Sequence, residues 1–244
     1  MHSSSPLSRR LLAEALGSAL LAATVIGSGI MAQRLASGND AVALLANTGA
    51  TVAVLYTLIS LFGPISGAHF NPVVSGMEAL RGRLRWRDAA PYILTQIASC
   101  CAGAVMAHLM FQLPLWSAST HVRTGGSQWL AEFVATFGLL LVVTGHRRAE
   151  DAPGMVACWI GAAYWFTSST SFANPAITLA RSLTNTFAGI RPIDAPGFIG
   201  AQIMGALVAL WVARLLFNER PASSLNAGST NPTVHGDPQK AIHV

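Results

Sequence analysis

Two six-residue stretches decide how this chain folds: Ala68-His69-Phe70-Asn71-Pro72-Val73 and Ser171-Phe172-Ala173-Asn174-Pro175-Ala176. In each, an Asn-Pro pair follows a turn rich in Gly, Ser or Thr and precedes a short apolar run, Val73 to Leu80 and Ile177 to Leu183. Proline suits the first helical position, where its missing N–H would have no partner, and asparagine before it is a preferred N-cap. Each pair is therefore expected to open a helix, and each run is too short to cross a bilayer, for which about 20 apolar residues are needed.

Longer apolar runs surround these two. Spans are expected at Leu11 to Met31, Ala41 to Phe62, Pro91 to Leu113, Gln128 to His146, Pro153 to Thr170 and Gly197 to Phe217. The fifth is the least regular, because its clean apolar core, Met155 to Phe166, runs into the polar string Thr167 to Ser171. Only 10% of the 244 residues are charged, 52% are hydrophobic and the mean hydropathy is +0.48. That is too little charge to coat a soluble globule, which excludes an ordinary cytosolic enzyme. Cys100, Cys101 and Cys158 lie in apolar runs and have neither the spacing of a disulfide framework nor that of a zinc site, so no metal or cofactor is expected.

Ser8-Arg9-Arg10-Leu11-Leu12 resembles an export signal, but the run behind it is long and contains Glu14, so it reads as a retained first helix. Six spans put both termini on one side. Placing them in the cytoplasm gathers most of the basic residues there, including Arg9, Arg10, the Arg81 to Arg87 series and Arg148, and leaves Arg34, Arg123, Arg181 and Arg191 outside. The positive-inside rule favours that choice, and the same distribution argues against a nucleic-acid-binding face. Residues 218–244 read as a disordered cytoplasmic tail.

The chain repeats itself. Leu12 to Gly17 recurs as Leu130 to Ala135, Tyr92 to Ile97 as Phe198 to Ile203, and the two Asn-Pro stretches lie between in the same order. Three spans per half is an odd number, so the second half enters the membrane inverted, as in transporters and channels. The expected fold is an all-α membrane protein of six transmembrane helices and two re-entrant half-helices in an inverted 3+3 repeat. It forms one domain over residues 1–217, with halves at about 8–113 and 128–217. Non-helical backbone at membrane depth requires burial or water, so the two loops imply an internal cavity. The half-helices would face each other with their positive N-termini, a barrier to cations and protons, and the Asn amides would be left to donate to a passing solute.

These residues resemble the aquaporin, or major intrinsic protein, family over roughly residues 8 to 217. The doubled Asn-Pro motif in paired three-helix halves carries the resemblance, with Val73 standing where the first motif has Ala in the family and Ala176 matching in the second. The resemblance implies a passive channel for small neutral solutes and water in a bacterial inner membrane, assembled as a homotetramer. Glu14 and Glu132 occupy matching repeat positions deep in spans one and four. Such carboxylates suit a proton relay, but their symmetry favours accepting hydrogen bonds from the loop backbone, with Gln96, Gln202 and His69 in similar bracing roles.

The family has an outer constriction formed by one residue each from spans two and five and two from the second loop. Counting from the motifs places it at Thr51, Ala162, Ser171 and Ile177, and a slip of two residues in span five would substitute Tyr164. Water-selective members have an arginine where this chain has Ile177. The nearest arginine, Arg181, lies four residues on, about 6 Å along a helix, and reads either as an outer-mouth residue or as a snorkelling or loop-capping one. A ring of small uncharged residues implies solutes larger than water. The run Asn174 to Pro192 further resembles a bacterial subgroup associated with arsenic-resistance genes, which implies arsenite, antimonite or methylated arsenicals beside small polyols. The alternatives are a water-selective pore and, further off, a proton-coupled transporter; no catalytic constellation points to an enzyme.

Overall fold

The computed structural model describes residues 5–146 and 148–217, so the tail expected at 218–244 lies outside the described residues. Among the described residues there are eight α-helices and no strand. In chain order they are α1 (Leu7–Leu35), α2 (Asp40–Ser66), α3 (Pro72–Leu80), α4 (Trp86–Met110), α5 (Gly126–Gly145), α6 (Ala152–Phe166), α7 (Pro175–Ser182) and α8 (Ala195–Phe217). Two 3-10 turns, Ala149–Asp151 and Pro192–Asp194, precede α6 and α8.

Five of these helices, α1, α2, α4, α5 and α8, are long and apolar enough to cross a membrane. With 15 residues α6 is about 22 Å long, short of a hydrocarbon core of about 30 Å. The expected span to Thr170 is therefore corrected. The helix stops at Phe166, Thr167 takes an extended backbone, and the Ser/Thr string that follows is loop. The α2 helix runs past the expected Phe62 through Pro64 and ends at Gly67, whose φ of 90° is a left-handed C-cap that favours glycine.

Each half packs its first helix along its last: α1 against α4, and α5 against α8. Both crossings are tight. A Cβ at Gly103 would lie 2.2 Å from the Ala19 carbonyl oxygen, and one at Gly205 would lie 2.4 Å from that of Phe133. The halves join through α2 on α6, while α3 rests on α4 and α8, and α7 on α8 and α4. Each half-helix is thus lodged between helices of both repeats. Large apolar side chains such as Leu12, Leu94, Leu130 and Trp211 face outward, whereas Glu14, Glu132, Gln96 and Gln202 are fully buried. Hydrocarbon outside and polar groups inside is the arrangement expected when the solvent is lipid.

The basic residue Arg10, in the first turn of α1, is also a packing residue. Arg10 is buried, with its Nη2 2.9 Å from Asp88 Oδ2, and its guanidinium stands 5.6 Å from the centre of the Tyr92 ring. It ties the start of α1 to the start of α4.

Candidate solute pore

The two loops before α3 and α7 are built alike. Ala68 and Phe70 in the first, and Ser171 and Ala173 in the second, have φ between 47° and 50°. A left-handed backbone is unfavourable for such residues, by about 1–3 kcal/mol each, and persists only where the surroundings hold it. Here a buried carboxylate does so. Glu14 Oε1 accepts from His69 N at 3.0 Å and Ser66 Oγ at 2.7 Å, and Oε2 accepts from Phe70 N at 2.7 Å and Gln96 Nε2 at 2.8 Å. Glu132 accepts from Phe172 N at 2.8 Å, Ala173 N at 2.9 Å and Gln202 Nε2 at 2.6 Å. Every partner is a donor, the arrangement that an acceptor-only carboxylate satisfies. Each glutamine also donates to the half-helix of its own repeat, Gln96 to Ser75 Oγ at 2.8 Å and Gln202 to Thr178 Oγ1 at 3.0 Å. His69 Nδ1 lies 3.0 Å from that same Ser75 hydroxyl.

Asparagine caps both half-helices. Asn71 Oδ1 accepts from Val73 N, and Asn174 Oδ1 from Ala176 N and Ile177 N. The amide nitrogens then cross between the loops: Asn71 Nδ2 donates to the Ala173 carbonyl and Asn174 Nδ2 to the Phe70 carbonyl, both at 2.8 Å. This corrects the expectation that the amides are wholly free. One N–H of each locks the loops together, and one remains.

A single cavity of about 1170 Å³ runs past this junction. At one end its wall includes Arg10, Arg83, Asp88, His146 and Glu150; at the middle His69, Phe70, Asn71, Ala173 and Asn174; at the other end Thr51, Tyr164, Ser171, Ile177 and Arg181. Val73 and Ala176 are absent from that wall and pack in the core, so the Val for Ala exchange in the first motif is a packing matter.

The family model of the major intrinsic proteins matches residues 1–168. The chain belongs to the major intrinsic protein family. It is 54% identical over 229 residues to aquaglyceroporin AqpS of Rhizobium meliloti (strain 1021), covering 93% of this chain and 98% of that protein. The probable glycerol uptake facilitator protein of Thermotoga maritima is 31% identical over 170 residues, 63% of this chain and 71% of that one. The fold is shared with the aquaglyceroporin from Plasmodium falciparum, at a TM-score of 0.67 and 17% identity, over 87% of this chain and 97% of that structure. As a major intrinsic protein the chain is a membrane channel for small solutes and not an enzyme.

Of the four residues that counting from the motifs placed at a constriction, three line the cavity. Thr51, Ser171 and Ile177 lie on the cavity wall. Ala162 does not: it is exposed on the outer face of α6, and Tyr164 takes the cavity position. The buried face of α6 is Pro153, Val156, Ala157, Ile160, Ala163 and Tyr164, a helical stripe from which residue 162 is rotated away. Of the roles expected for Arg181, loop capping fits its contacts and snorkelling does not. Arg181 is only 3% exposed; its Nε donates to the Ala188 carbonyl, and its guanidinium carbon lies 3.3 Å from the centre of the Phe172 ring. It caps a loop and lines the cavity at once.

Several contributors escaped the sequence reading. Arg123, in the loop between α4 and α5, donates to the carbonyls of Gly189 at 2.8 Å and Ser169 at 3.1 Å, and lies 5.2 Å from the Phe172 ring centre. Burial, before any charge partner, holds its pKa below the ordinary guanidinium value. His108 spans from Pro114 O at 2.6 Å to Thr184 Oγ1 at 2.7 Å, pinning the segment after α7. Ser75 and Thr178 had a usable signal, since each stands four residues after a motif asparagine. Arg123 had none, because its contacts come from distant segments.

Proposed function

We propose that this channel passes small neutral hydroxylated solutes, polyols of glycerol size and the trihydroxy forms of arsenite and antimonite, with methylated arsenicals and some water. What supports this reading is that Thr51, Tyr164, Ser171 and Ile177, four cavity-wall residues that we take as the outer ring, are uncharged, with Ile177 where water-selective members place an arginine. The positive ends of α3 and α7, meeting at the linked asparagines, supply the barrier to cations. The names of the Rhizobium and Thermotoga relatives agree with a glycerol-type solute. We place the channel, one domain over residues 1–217, in a bacterial inner membrane as a homotetramer with both termini cytoplasmic, on the distribution of basic residues and the family resemblance.

Stopped-flow measurement of water, glycerol and arsenite entry into proteoliposomes tests this. All three fluxes should exceed those of empty liposomes, without dependence on a proton gradient. Fast water entry with glycerol and arsenite at background would favour the second reading, a water-selective pore. That reading has one observation behind it, since Tyr164 makes the ring narrower than Ala162 would.

A further inference from the structure

Two of the three hydroxyl hydrogens at the outer ring are already committed, those of Thr51 and Tyr164. Thr51 Oγ1 donates its one hydrogen to the Asn47 carbonyl at 2.9 Å. It also lies 3.3 Å from Tyr164 Oη. With the threonine hydrogen committed, the tyrosine hydroxyl is the donor of that bond, and what it has left for a solute is lone pairs. The backbone at this level is spent as well: Ile177 N goes to Asn174 Oδ1, and Phe172 N and Ala173 N go to Glu132. Ser171 Oγ makes no hydrogen bond and can give or accept.

From this geometry we infer that Tyr164 presents a hydrogen-bond acceptor to the ring, so that the channel selects solutes carrying hydroxyl donors over solutes of similar size that can only accept. An arginine filter has the opposite polarity, since guanidinium is donor only. In this chain the donors flank the ring instead. Arg181 lies one helical turn beyond Ile177, and the remaining amide N–H groups of Asn71 and Asn174 lie on the other side. A solute crossing the pore therefore meets donor, acceptor and donor in turn, which a molecule bearing hydroxyl groups matches throughout. An acceptor-only solute finds no donor in Thr51 or Tyr164 and has only the Ser171 hydroxyl to pair with at the ring, and each hydrogen bond lost there is costly. The inference rests on the proposed passage of small hydroxylated solutes and names the residue that sorts them.

The test compares glycerol with trimethylamine N-oxide, a compact neutral solute without donors, in proteoliposomes of wild type, Tyr164→Phe and Thr51→Val. Tyr164→Phe keeps the ring's size and removes the acceptor, so the ratio of glycerol to trimethylamine N-oxide flux should fall about fivefold, the worth of one hydrogen bond. Thr51→Val removes the partner that holds the tyrosine hydrogen and frees it to point at the solute. Trimethylamine N-oxide flux should then rise with glycerol flux unchanged, whereas a mere loosening of packing would raise both fluxes together. Ratios unchanged in both variants, with normal wild-type glycerol flux, overturn the inference alone. Wild-type glycerol flux no faster than in empty liposomes overturns the proposed function and the inference with it. Should Tyr164→Phe fail to reconstitute, whether Thr51→Val raises trimethylamine N-oxide flux alone decides.

Discussion

Exchanging Glu132 for Gln removes a charge and almost no volume, and the structure says what must follow. Glu132 Oε1 serves Phe172 N, while Oε2 serves both Ala173 N and Gln202 Nε2. A glutamine has one acceptor oxygen. If that oxygen takes the Oε1 place, Ala173 N faces an amide NH2; if it takes the Oε2 place, Phe172 N does. The unpaired Gln202 Oε1 gives the first arrangement some relief, since a flipped Gln202 would accept from the new amide, but either way one buried backbone N–H loses its acceptor. An orphaned buried donor costs about 1–3 kcal/mol, and weakening a retained charge-assisted bond to a neutral one costs about 1 more. The second loop should thus be held less firmly by about 2–4 kcal/mol, with its left-handed Ser171 and Ala173 no longer braced. Hydrogen exchange followed by mass spectrometry on the peptide containing Phe172 and Ala173 should show protection reduced by about 30-fold to 1,000-fold, with lowered glycerol flux and the helices still protected. Unchanged exchange at these two amides would refute the bracing role. If uptake also proved to depend on a proton gradient that Glu132→Gln abolished, the carboxylate would be a proton relay.

Ile177→Arg should narrow the ring and add a charge, cutting glycerol and arsenite flux about tenfold for each ~1.4 kcal/mol added to their barrier while water still passes; stopped-flow light scattering measures both. Asn174→Ala removes the cap of α7 and leaves the Phe70 carbonyl without its donor, so thermal unfolding should register a loss of about 2–4 kcal/mol. Gly103→Ala forces α1 and α4 apart at the Ala19 carbonyl and should cost about 1–3 kcal/mol in the same assay. Asp88→Leu strands the buried Arg10 and should cost about 3–5 kcal/mol, much of it recovered in the Arg10→Leu/Asp88→Leu double variant.

The amino-acid sequence by itself determined the architecture. The doubled Asn-Pro motif, the matched Glu14/Glu132 and Gln96/Gln202 pairs and six apolar runs announce an inverted repeat, because capping and burial are local demands that leave their mark at fixed spacing. The two glutamates could also be named as partners of the loops, since backbone N–H groups inside a membrane must be paired with something. What only the tertiary structure decided was where side chains converge from different segments. Whether residue 162 or 164 of α6 meets Thr51 depends on the rotation of one short helix, and a stripe of small apolar residues does not fix that rotation from sequence. The same holds for Arg181, whose place four residues beyond Ile177 left an outer-mouth, a snorkelling and a loop-capping role open and whose direction is set by the Ala188 carbonyl and the Phe172 ring. It holds too for Asn71 and Asn174, each of which donates across the inverted repeat to a residue more than 100 positions away. Periodicity and caps are written into neighbouring residues, whereas the polarity of a pore is written in contacts that exist only once the two halves have closed around it.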